Sequence, residues 1–440
     1  MSEAATTLGF NRETFDSFLQ SRDEPSWLRD QRTSAWERFE ALPLPSQRDE
    51  EWMRTDIRLF RLDKFALPLE SFAGSHAAGN LSDGLLTHGV SLGGHTTALD
   101  SRPAGARLNE KWAARGVLFG SLDELVKEHG EKIRPHLFRA VDANYDKFAA
   151  LQAAAWSGGT LLYVPRGVVI DEPLHMQSIL SPGAVDLGHT LVILEEGAEA
   201  TLLAETASLS EDSTGLHCGS VELLVGPNAR LRYVNLQNWA RGAWHFAHHK
   251  ALVDKQGSLQ WTIAALGSRL AKVNQHVAMV GSGAHAQVNG VMFTEGKQHL
   301  SYHTHQHHQA PNCTSDLLYK TALQDSSRTV WRGMIKVDPG AQKTDGYQRN
   351  DNLMLSDHAR CDSIPGLEIL ADDVRCTHGS TTGRVDDEQI FYARCRGLTR
   401  KEAVRMVVAG FFQQVFDRIT IDSVREALGE AIGRRIREYD

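Results

Sequence analysis

Cys376 and His378 stand two residues apart in the segment DVRCTHGSTTG, which is rich in glycine and threonine. In an extended strand, residues two apart point to the same face, so a thiolate and an imidazole would be offered together to a soft metal ion. A buried cysteine packed in a strand, followed by a histidine that caps the turn at Gly379, fits the pattern equally simply. The spacing alone leaves both interpretations open and favours the second for an isolated pair.

A second candidate for metal chemistry is the histidine run in SYHTHQHHQAPNC, Ser301 to Cys313. On a strand, His303, His305 and His307 would share one face at intervals of about 7 Å, close enough for two imidazoles to share zinc or iron. The alternative is a polar ladder held by hydrogen bonds. No carboxylate follows at a metal-ligand spacing, so we leave this run out of the predicted site.

Clustered carboxylates raise the question of acid-base chemistry. They occur at Asp372-Asp373 and at Asp386-Asp387-Glu388, and on a β-helix such groups would line a polysaccharide groove. Adjacent residues of a strand point to opposite faces, however, so an Asp-Asp pair does not form a catalytic dyad, and turn or cap roles are favoured. A carbohydrate-active β-helix enzyme remains the alternative function. The sequence contains neither a G-x-S-x-G elbow nor a Walker-type phosphate loop, which removes the case for a hydrolase of that kind or an intrinsic ATPase.

The elements that must position these residues are short β-type runs, which begin near residue 155 and continue for more than two hundred residues. Six stretches share a strand, a tight turn with a small residue and a second strand, from TLVILEEGAEATLLAE to LMLSDHARCDSIPGLEI. Their spacing begins near thirty residues and shortens later. Such a unit cannot bury its own apolar face, which is typical of a coiled β-solenoid whose coils stack. An antiparallel sandwich is the alternative.

Helical patterns flank the β-rich region on both sides. They predict a mostly helical N-terminal domain over residues 1–154, a β core over 155–397 and a helical C-terminal domain over 398–440. Thr399 and Glu402 form a capping-box pattern before a helix with one broad apolar stripe. We expect such helices to dock on their own domain, to cap the open ends of a solenoid, or to offer a groove to a partner.

Composition excludes several classes of protein. The net charge of −8 and the absence of a basic stripe argue against nucleic-acid binding. Five cysteines without a C-x-x-C pair argue against a disulfide framework or a structural zinc module. No apolar window is long enough to span a membrane, and no secretory signal precedes the first helix pattern, so we expect a cytoplasmic protein.

The block VDPGAQKTDGYQRNDNLMLS, followed by PGLEILADDVRCTHGSTTGRVDDEQIFYARCRGL, resembles the SufB/SufD family of iron-sulfur cluster assembly proteins. The resemblance is dense from Lys336 to Leu398 and looser over the rest of the β-rich region and the final helices. The combination LEILADDVRCTHG with DDEQIFY is more similar to the SufD branch, and no N-terminal cysteine motif of the SufB kind is present.

The resemblance implies a mainly β fold, with a right-handed parallel β-helix core between helical N-terminal and C-terminal domains. It implies a non-catalytic scaffold subunit that assembles with SufB and with the ATPase SufC, which would dock on the helices of residues 399–438. Self-pairing in the absence of SufB stays open. His378 matches the family histidine that serves as a metal ligand during nascent cluster formation across the SufB interface, and Cys376 matches its neighbouring cysteine. The iron-sulfur cluster would be transient, with no cofactor held permanently by the isolated chain.

Overall fold

The computed structural model describes residues 9–69 and 84–436, whose main feature is a parallel β-solenoid. In chain order its strands are β1 (Gly94–Leu99), β2 (Arg102–Leu108), β3 (Leu118–Ser121), β4 (Gly158–Val164), β5 (Leu174–Leu180), β6 (Val185–Asp186), β7 (Gly188–Leu194), β8 (Glu199–Ser208), β9 (Thr214–Val225), β10 (Arg230–Asn238), β11 (Gly242–Val253), β12 (Ser258–Ala265), β13 (Leu270–Met279), β14 (His285–Thr294), β15 (His299–His308), β16 (Thr314–Leu323), β17 (Arg328–Val337), β18 (Asp345–Met354), β19 (Arg360–Ile369) and β20 (Arg375–Arg384).

Helices lie before and after the coils. They are α1 (Arg12–Gln20), α2 (Ser26–Ala41), α3 (Glu110–Ala113), α4 (Leu122–Glu128), α5 (Gly130–Ile133), α6 (Lys147–Ala155), α7 (Asp387–Cys395), α8 (Arg400–Phe416) and α9 (Asp422–Arg435), with short 3-10 turns at Glu50–Trp52, Leu62–Lys64 and Leu85–Thr87. None of the helices in the described ranges is both long and apolar enough to cross a membrane.

The strands form two sheets, and from β7 onward successive strands alternate between them. Sheet A has the order β2-β1-β5-β8-β10-β12-β14-β16-β18-β20, and sheet B has the order β19-β17-β15-β13-β11-β9-β7-β4-β3, with β6 beside β9. Apart from the pairs β1–β2 and β3–β4, every pairing in both sheets is parallel, and each coil gives one strand to each sheet. The expected solenoid is therefore confirmed and the antiparallel sandwich is wrong. The handedness and the domain boundaries at residues 154 and 397 stay predictions.

The expected shortening of the repeat holds only as far as the middle of the solenoid. Neighbouring strands pair residues 31 apart at Glu199 and Arg230, 27 apart at Ser258 and His285, and 32 apart at Arg328 and Arg360, so the later coils lengthen again. Five of the six stretches fold around the corner where the chain passes from sheet B to sheet A. The sixth, LMLSDHARCDSIPGLEI, spans β18 and β19 at the opposite corner. The spacing between the fifth and the sixth turn is therefore only part of a coil and not a full repeat.

The repeated corners explain the small residues in the turns. Asn228 and Gly283 adopt positive φ angles of 55° and 74°, a conformation that asparagine and glycine tolerate. Each is followed by an alanine with no exposed surface, Ala229 and Ala284, where the chain re-enters the next strand. Since the coils stack directly on one another, a larger side chain at these positions would meet the neighbouring corner.

The hydrophobic core has two parts, the lumen and the outer faces. Aliphatic and aromatic side chains from both sheets fill the lumen as one continuous buried cluster. The outer face of sheet B packs against α2 and α6, with the rings of Phe148 and Phe246 stacked at 3.8 Å. The outer face of sheet A packs against α8 and α9. Strands in the middle of the chain are apolar on both faces for this reason.

The expectation that the helices cap both ends of the solenoid is wrong at the C-terminal end. α8 contacts β14 and β16, and α9 contacts the turn Leu85–Thr87, so both lie along the side of sheet A. At the other end, β1, β2 and β3 extend the two sheets, with β2 and β3 antiparallel to their neighbours. The last coil, β19 and β20, is consequently left with mostly exposed side chains.

Candidate functional site

The strand that carries Cys376 and His378 is an open edge. Within the part of the chain that the structure describes, β20 pairs with β18 alone. The N–H of Arg375 donates to the carbonyl of Thr344 at 2.8 Å. In a parallel ladder, every second residue directs both its N–H and its C=O group to the same neighbouring strand. The odd-numbered residues of β20 therefore form hydrogen bonds with β18. Cys376, His378 and Ser380 therefore direct their N–H and C=O groups away from the solenoid.

The companion edge of the last coil, β19, is interrupted. The N–H groups of Arg360 and Leu370 donate to the carbonyls of Ser327 and Val337, so the even-numbered residues of β19 form hydrogen bonds with β17. Pro365 is one of the odd-numbered residues that face the open edge, and it has no N–H to offer. Of the two strands in the last coil, β20 therefore presents the complete row of donors and acceptors.

The side chains of Cys376 and His378 point to the lumen side of β20. His378 lies opposite Gln348, which is fully buried in the lumen and donates to the carbonyl of Gly366 at 2.9 Å. Cys376 lies opposite Gly346. A further coil would cover both side chains, but β20 is the last strand, so His378 is exposed and Cys376 is half-buried. The predicted pair thus lies at the rim of the open end.

The thiol of Cys376 sits in an apolar setting. It packs against a small cluster formed by Ile335, Val337, Ala341 and Ala371. Burial, reinforced by the negative charge of Asp345, raises the pKa of this thiol above its ordinary value. The thiol is therefore protonated at neutral pH, and a metal ion that binds the sulfur must displace a proton.

Sequence reasoning missed a third possible ligand in the same coil. Cys361 is half-buried on β19, and its sulfur lies 3.5 Å from the hydroxyl of Thr382 on β20. Beside it, the hydroxyls of Ser363 and Ser380 are 2.8 Å apart. These contacts join the two strands across the lumen at the open end. The sequence pattern that could have identified it is the repeat itself, because Cys361 lies on the strand that forms the other half of the coil bearing Cys376.

The rim does not hold a complete metal site of its own. One exposed imidazole and two thiols on separate strands leave coordination positions unfilled for an ion that prefers four ligands. In the ranges 9–69 and 84–436, the one place where three His, Cys, Asp or Glu ligand atoms lie close together is elsewhere, at His276, His305 and His307. His303 does not join that group, although it shares the outer face of β15.

The clustered carboxylates do not form acid-base pairs. Asp386 is the N-cap of α7, where its side chain accepts from the N–H of Glu388. Asp373 lies in the turn between β19 and β20, and its backbone N–H donates to Oε1 of Gln342 at 2.8 Å. These are the turn and cap roles favoured from the sequence, so these two residues do not support the carbohydrate-active alternative.

A groove lies between α7 and α8, on the side that faces away from sheet A. It encloses about 570 Å³ and is lined by Asp386, Glu388, Gln389, Tyr392, Met406, Val407 and Gly410. Three large apolar side chains are exposed on these helices: Phe391 at 69 %, Tyr392 at 61 % and Met406 at 54 %. The opposite stripe of α8 is buried against the solenoid. Residues 437 and 438 of the predicted docking segment lie outside the described residues.

Comparison with known proteins identifies the class of this solenoid. Residues 178–411 match the SufBD core domain of the SUF system for FeS cluster assembly, and residues 100–176 match the SufBD protein N-terminal region. The chain therefore belongs to the SufBD family of iron-sulfur cluster assembly proteins, as the resemblance in the sequence indicated.

Individual relatives extend the match over most of the chain. An iron-sulfur cluster assembly SufBD family protein of Mycobacterium tuberculosis is 35% identical over 297 residues, which cover 65% of this chain and 73% of the relative. The iron-sulfur cluster assembly protein SufB of Bacillus subtilis is 25% identical over 420 residues, covering 92% and 88%. A SufBD family protein of Staphylococcus epidermidis is 26% identical over 416 residues, with the same coverage.

Proposed function

We propose that this chain is a SufD-like scaffold subunit, without turnover chemistry of its own, in a cytoplasmic complex with a SufB-like subunit and a SufC-like ATPase. In this complex it contributes to nascent iron-sulfur cluster formation and iron acquisition. The observation that carries the proposal is the position of His378, which is exposed on the lumen side of a strand that pairs with β18 alone within residues 9–69 and 84–436.

The open edge supports a protein partner. An unpaired strand edge is a template for another chain, and natural proteins usually cover or interrupt it. Apolar side chains of the other strand of the last coil are also exposed: Leu367 and Ile369 of β19 and the following Leu370 are 37 %, 38 % and 53 % exposed. A partner strand laid along β20 would satisfy the free backbone groups, and the rest of a partner that covers the open end would bury these side chains. A SufB-like subunit is the proposed partner, and a second copy of this chain is expected to take its place when that subunit is missing.

The incomplete ligand set supports a transient cluster. His378 and Cys376 lie about 7 Å apart on one strand face, and a partner at the open end would supply the missing thiolates. A site divided between two chains is dismantled when the chains separate, which suits the assembly and release of a cluster better than its storage. Iron with sulfide is the cargo of such a site and not a resident cofactor.

The groove between α7 and α8 supports docking of the ATPase. Exposed aromatic side chains beside an apolar cavity are typical anchors of a protein interface. Deletion of the last helices would expose the outer face of sheet A, so point variants are the better test. Phe391→Ala together with Tyr392→Ala should abolish co-purification with the SufC-like ATPase. Leu59→Ala, which truncates an equally exposed apolar side chain of the N-terminal region, should leave it intact.

The decisive experiment concerns His378. The complex is co-expressed anaerobically, and cluster formation is followed by visible absorption and by iron and sulfide content. His378→Ala should remove the chromophore while the complex still assembles. The matched control is His358→Ala, because His358 is an exposed histidine at the opposite corner of the same coil. Unchanged cluster formation in an intact His378→Ala complex would contradict the proposed site.

A further inference from the structure

Three histidines converge on the outer face of sheet B, away from the open end. His276 of β13 and His305 of β15 are directly paired across the parallel ladder, and His307 follows two residues later on β15. Their ligand nitrogens all lie within 4.8 Å of one another, and all three side chains are half-buried. The rings of His276 and His305 are stacked at 4.4 Å, and those of His305 and His307 at 5.5 Å.

Two of the three rings have a buried nitrogen that makes no hydrogen bond within the described residues. Among the described residues, Nε2 of His276 and Nε2 of His305 are buried and have no hydrogen-bond partner. A buried imidazole nitrogen without a partner is costly, because its bond to water is lost and not replaced. Two such atoms side by side, on neighbouring strands, are the arrangement that a shared ligand would satisfy.

The ring of the third histidine, His307, is held in place by two hydrogen bonds. Nε2 of His307 is 2.9 Å from a carboxylate oxygen of Asp338, and its Nδ1 is 3.1 Å from the side-chain amide of Gln309. The carboxylate accepts the proton of Nε2, and the amide donates to Nδ1, so the lone pair of His307 is on Nδ1. A metal ion bound there would displace the amide of Gln309, whose exposed side chain is free to turn to solvent. A carboxylate that holds the far nitrogen of a histidine is the usual support for a metal-binding imidazole.

The local charges favour neutral imidazoles. Burial lowers the pKa of His305 to about 4, and it lowers the pKa of His276 well below its ordinary value. Both rings therefore carry free lone pairs at neutral pH. Of the two lysines nearby, Lys336 is neutralised by Glu368 at 2.8 Å. Burial lowers the pKa of the other, Lys250, which weakens its hold on a proton.

We propose that His276, His305 and His307 form a three-histidine site for a divalent transition metal of the zinc type, with a fourth position open to solvent. Zinc–nitrogen bonds of about 2.0–2.1 Å hold two tetrahedral ligands about 3.3 Å apart, so the most distant nitrogens must approach by about 1.5 Å. The three rings are nearly parallel, and turning them about their side-chain torsions brings the lone pairs together. Imidazole ligands without a carboxylate select zinc, copper, nickel or cobalt over magnesium or calcium.

His303 provides the matched control. It lies on the same face of the same strand, yet its ladder neighbours are Asn274 and Arg332. Neither neighbour is an imidazole, and the guanidinium of Arg332 is already paired with Glu50 at 2.5 Å, so among the described residues this ring has no second ligand on an adjacent strand. The proposed site therefore differs from the three alternating histidines of β15. It leaves out His303 and includes His276, which lies 29 positions before His305 in the chain.

Metal titration of the full-length protein tests the site. Tag-free protein with Cys361→Ala, Cys376→Ala and His378→Ala, so that the open end cannot compete, is stripped with chelator and titrated with Co²⁺ and then Zn²⁺. We expect one equivalent of Co²⁺ with the visible absorption of tetrahedral coordination, displaced by Zn²⁺. His305→Gln should weaken binding at least about tenfold, and His303→Gln should leave it unchanged.

A second measurement does not depend on the folding of the His305 variant. Zn²⁺ should raise the melting temperature of the parent protein and of His303→Gln alike, and X-ray absorption of the bound zinc should report nitrogen ligands. Failure of the parent to bind, equal losses in the His305 and His303 variants, or sulfur in the zinc shell would overturn the proposal. Since the open end is disabled throughout, none of these outcomes bears on the cluster site.

Discussion

A proline at position 380 is the sharpest test of the open edge of β20. The N–H of Ser380 points away from the solenoid, because the odd-numbered residues of this strand serve β18. Ser380→Pro removes that donor and leaves every backbone bond between β18 and β20 in place. The neighbouring substitution Thr381→Pro would instead remove a donor inside the ladder and break the last coil. The two variants therefore separate pairing with a partner from folding.

The expected effect follows from one lost donor in a buried ladder. Removing the donor leaves the partner's carbonyl buried without a hydrogen bond, which costs about 1–3 kcal/mol. This corresponds to a loss of affinity of roughly 5- to 150-fold. Ser380→Ala is the control, because it removes only the hydroxyl that contacts Ser363 at 2.8 Å.

Sedimentation velocity on the full-length chain, alone and with the SufB-like subunit, measures the affinity, and thermal unfolding reports the fold. Ser380→Pro should weaken association with little change in melting temperature, whereas Thr381→Pro should lower the melting temperature. If Ser380→Pro binds as tightly as Ser380→Ala while both remain folded, the partner does not pair along β20.

Two further predictions concern stability. Burial lowers the pKa of His308 in the lumen to about 4, so an unfolded chain takes up this proton near pH 6.5 and the free energy of unfolding falls between about pH 6.5 and pH 4. His308→Gln should reduce that slope by up to about 1.4 kcal/mol per pH unit in urea titrations, and parallel slopes would contradict it. Arg32 is fully buried, pairs with Glu24 at 2.8 Å and donates to the carbonyls of Ala154 and Trp156. Arg32→Met should cost about 3–5 kcal/mol in urea unfolding, and Arg32→Met with Glu24→Gln should recover part of it; a loss below 1 kcal/mol would contradict the role of this ion pair.

The coil was predictable from sequence because its determinants are local. Several corners combine a residue that tolerates positive φ with a small residue that follows it, as at Asn228-Ala229 and Gly283-Ala284, and this pattern repeats visibly. The covering of the coils was not predictable in the same way. Strands such as β10 and β14 are apolar on both faces, which indicates that something covers them, but the pattern does not say that α8 and α9 do so.

The two metal-ligand candidates differ in predictability for a reason of register. Cys376 and His378 lie on one strand, so alternation alone puts them on one face. His276 and His305 meet only because β13 and β15 pair residues 29 apart, while other neighbouring strands pair residues 27 or 32 apart. An error of a single residue in this offset turns a side chain to the opposite face. A repeat length known only as about thirty therefore identifies the run His303 to His307 but not its partner.

The two strands of the last coil differ in how their open edges are protected against pairing with other chains. This difference indicates which of the two strands meets a partner. Proteins guard exposed strand edges with proline, lysine or bulges, because an unguarded edge recruits other chains. β19 carries Pro365 among the residues that face the open edge, whereas β20 has the sequence RCTHGSTTGR, with neither proline nor lysine. An edge that must pair during function has to remain unguarded. The strand left open is the one that holds His378, so the pairing of a partner and the completion of its coordination shell would be a single event.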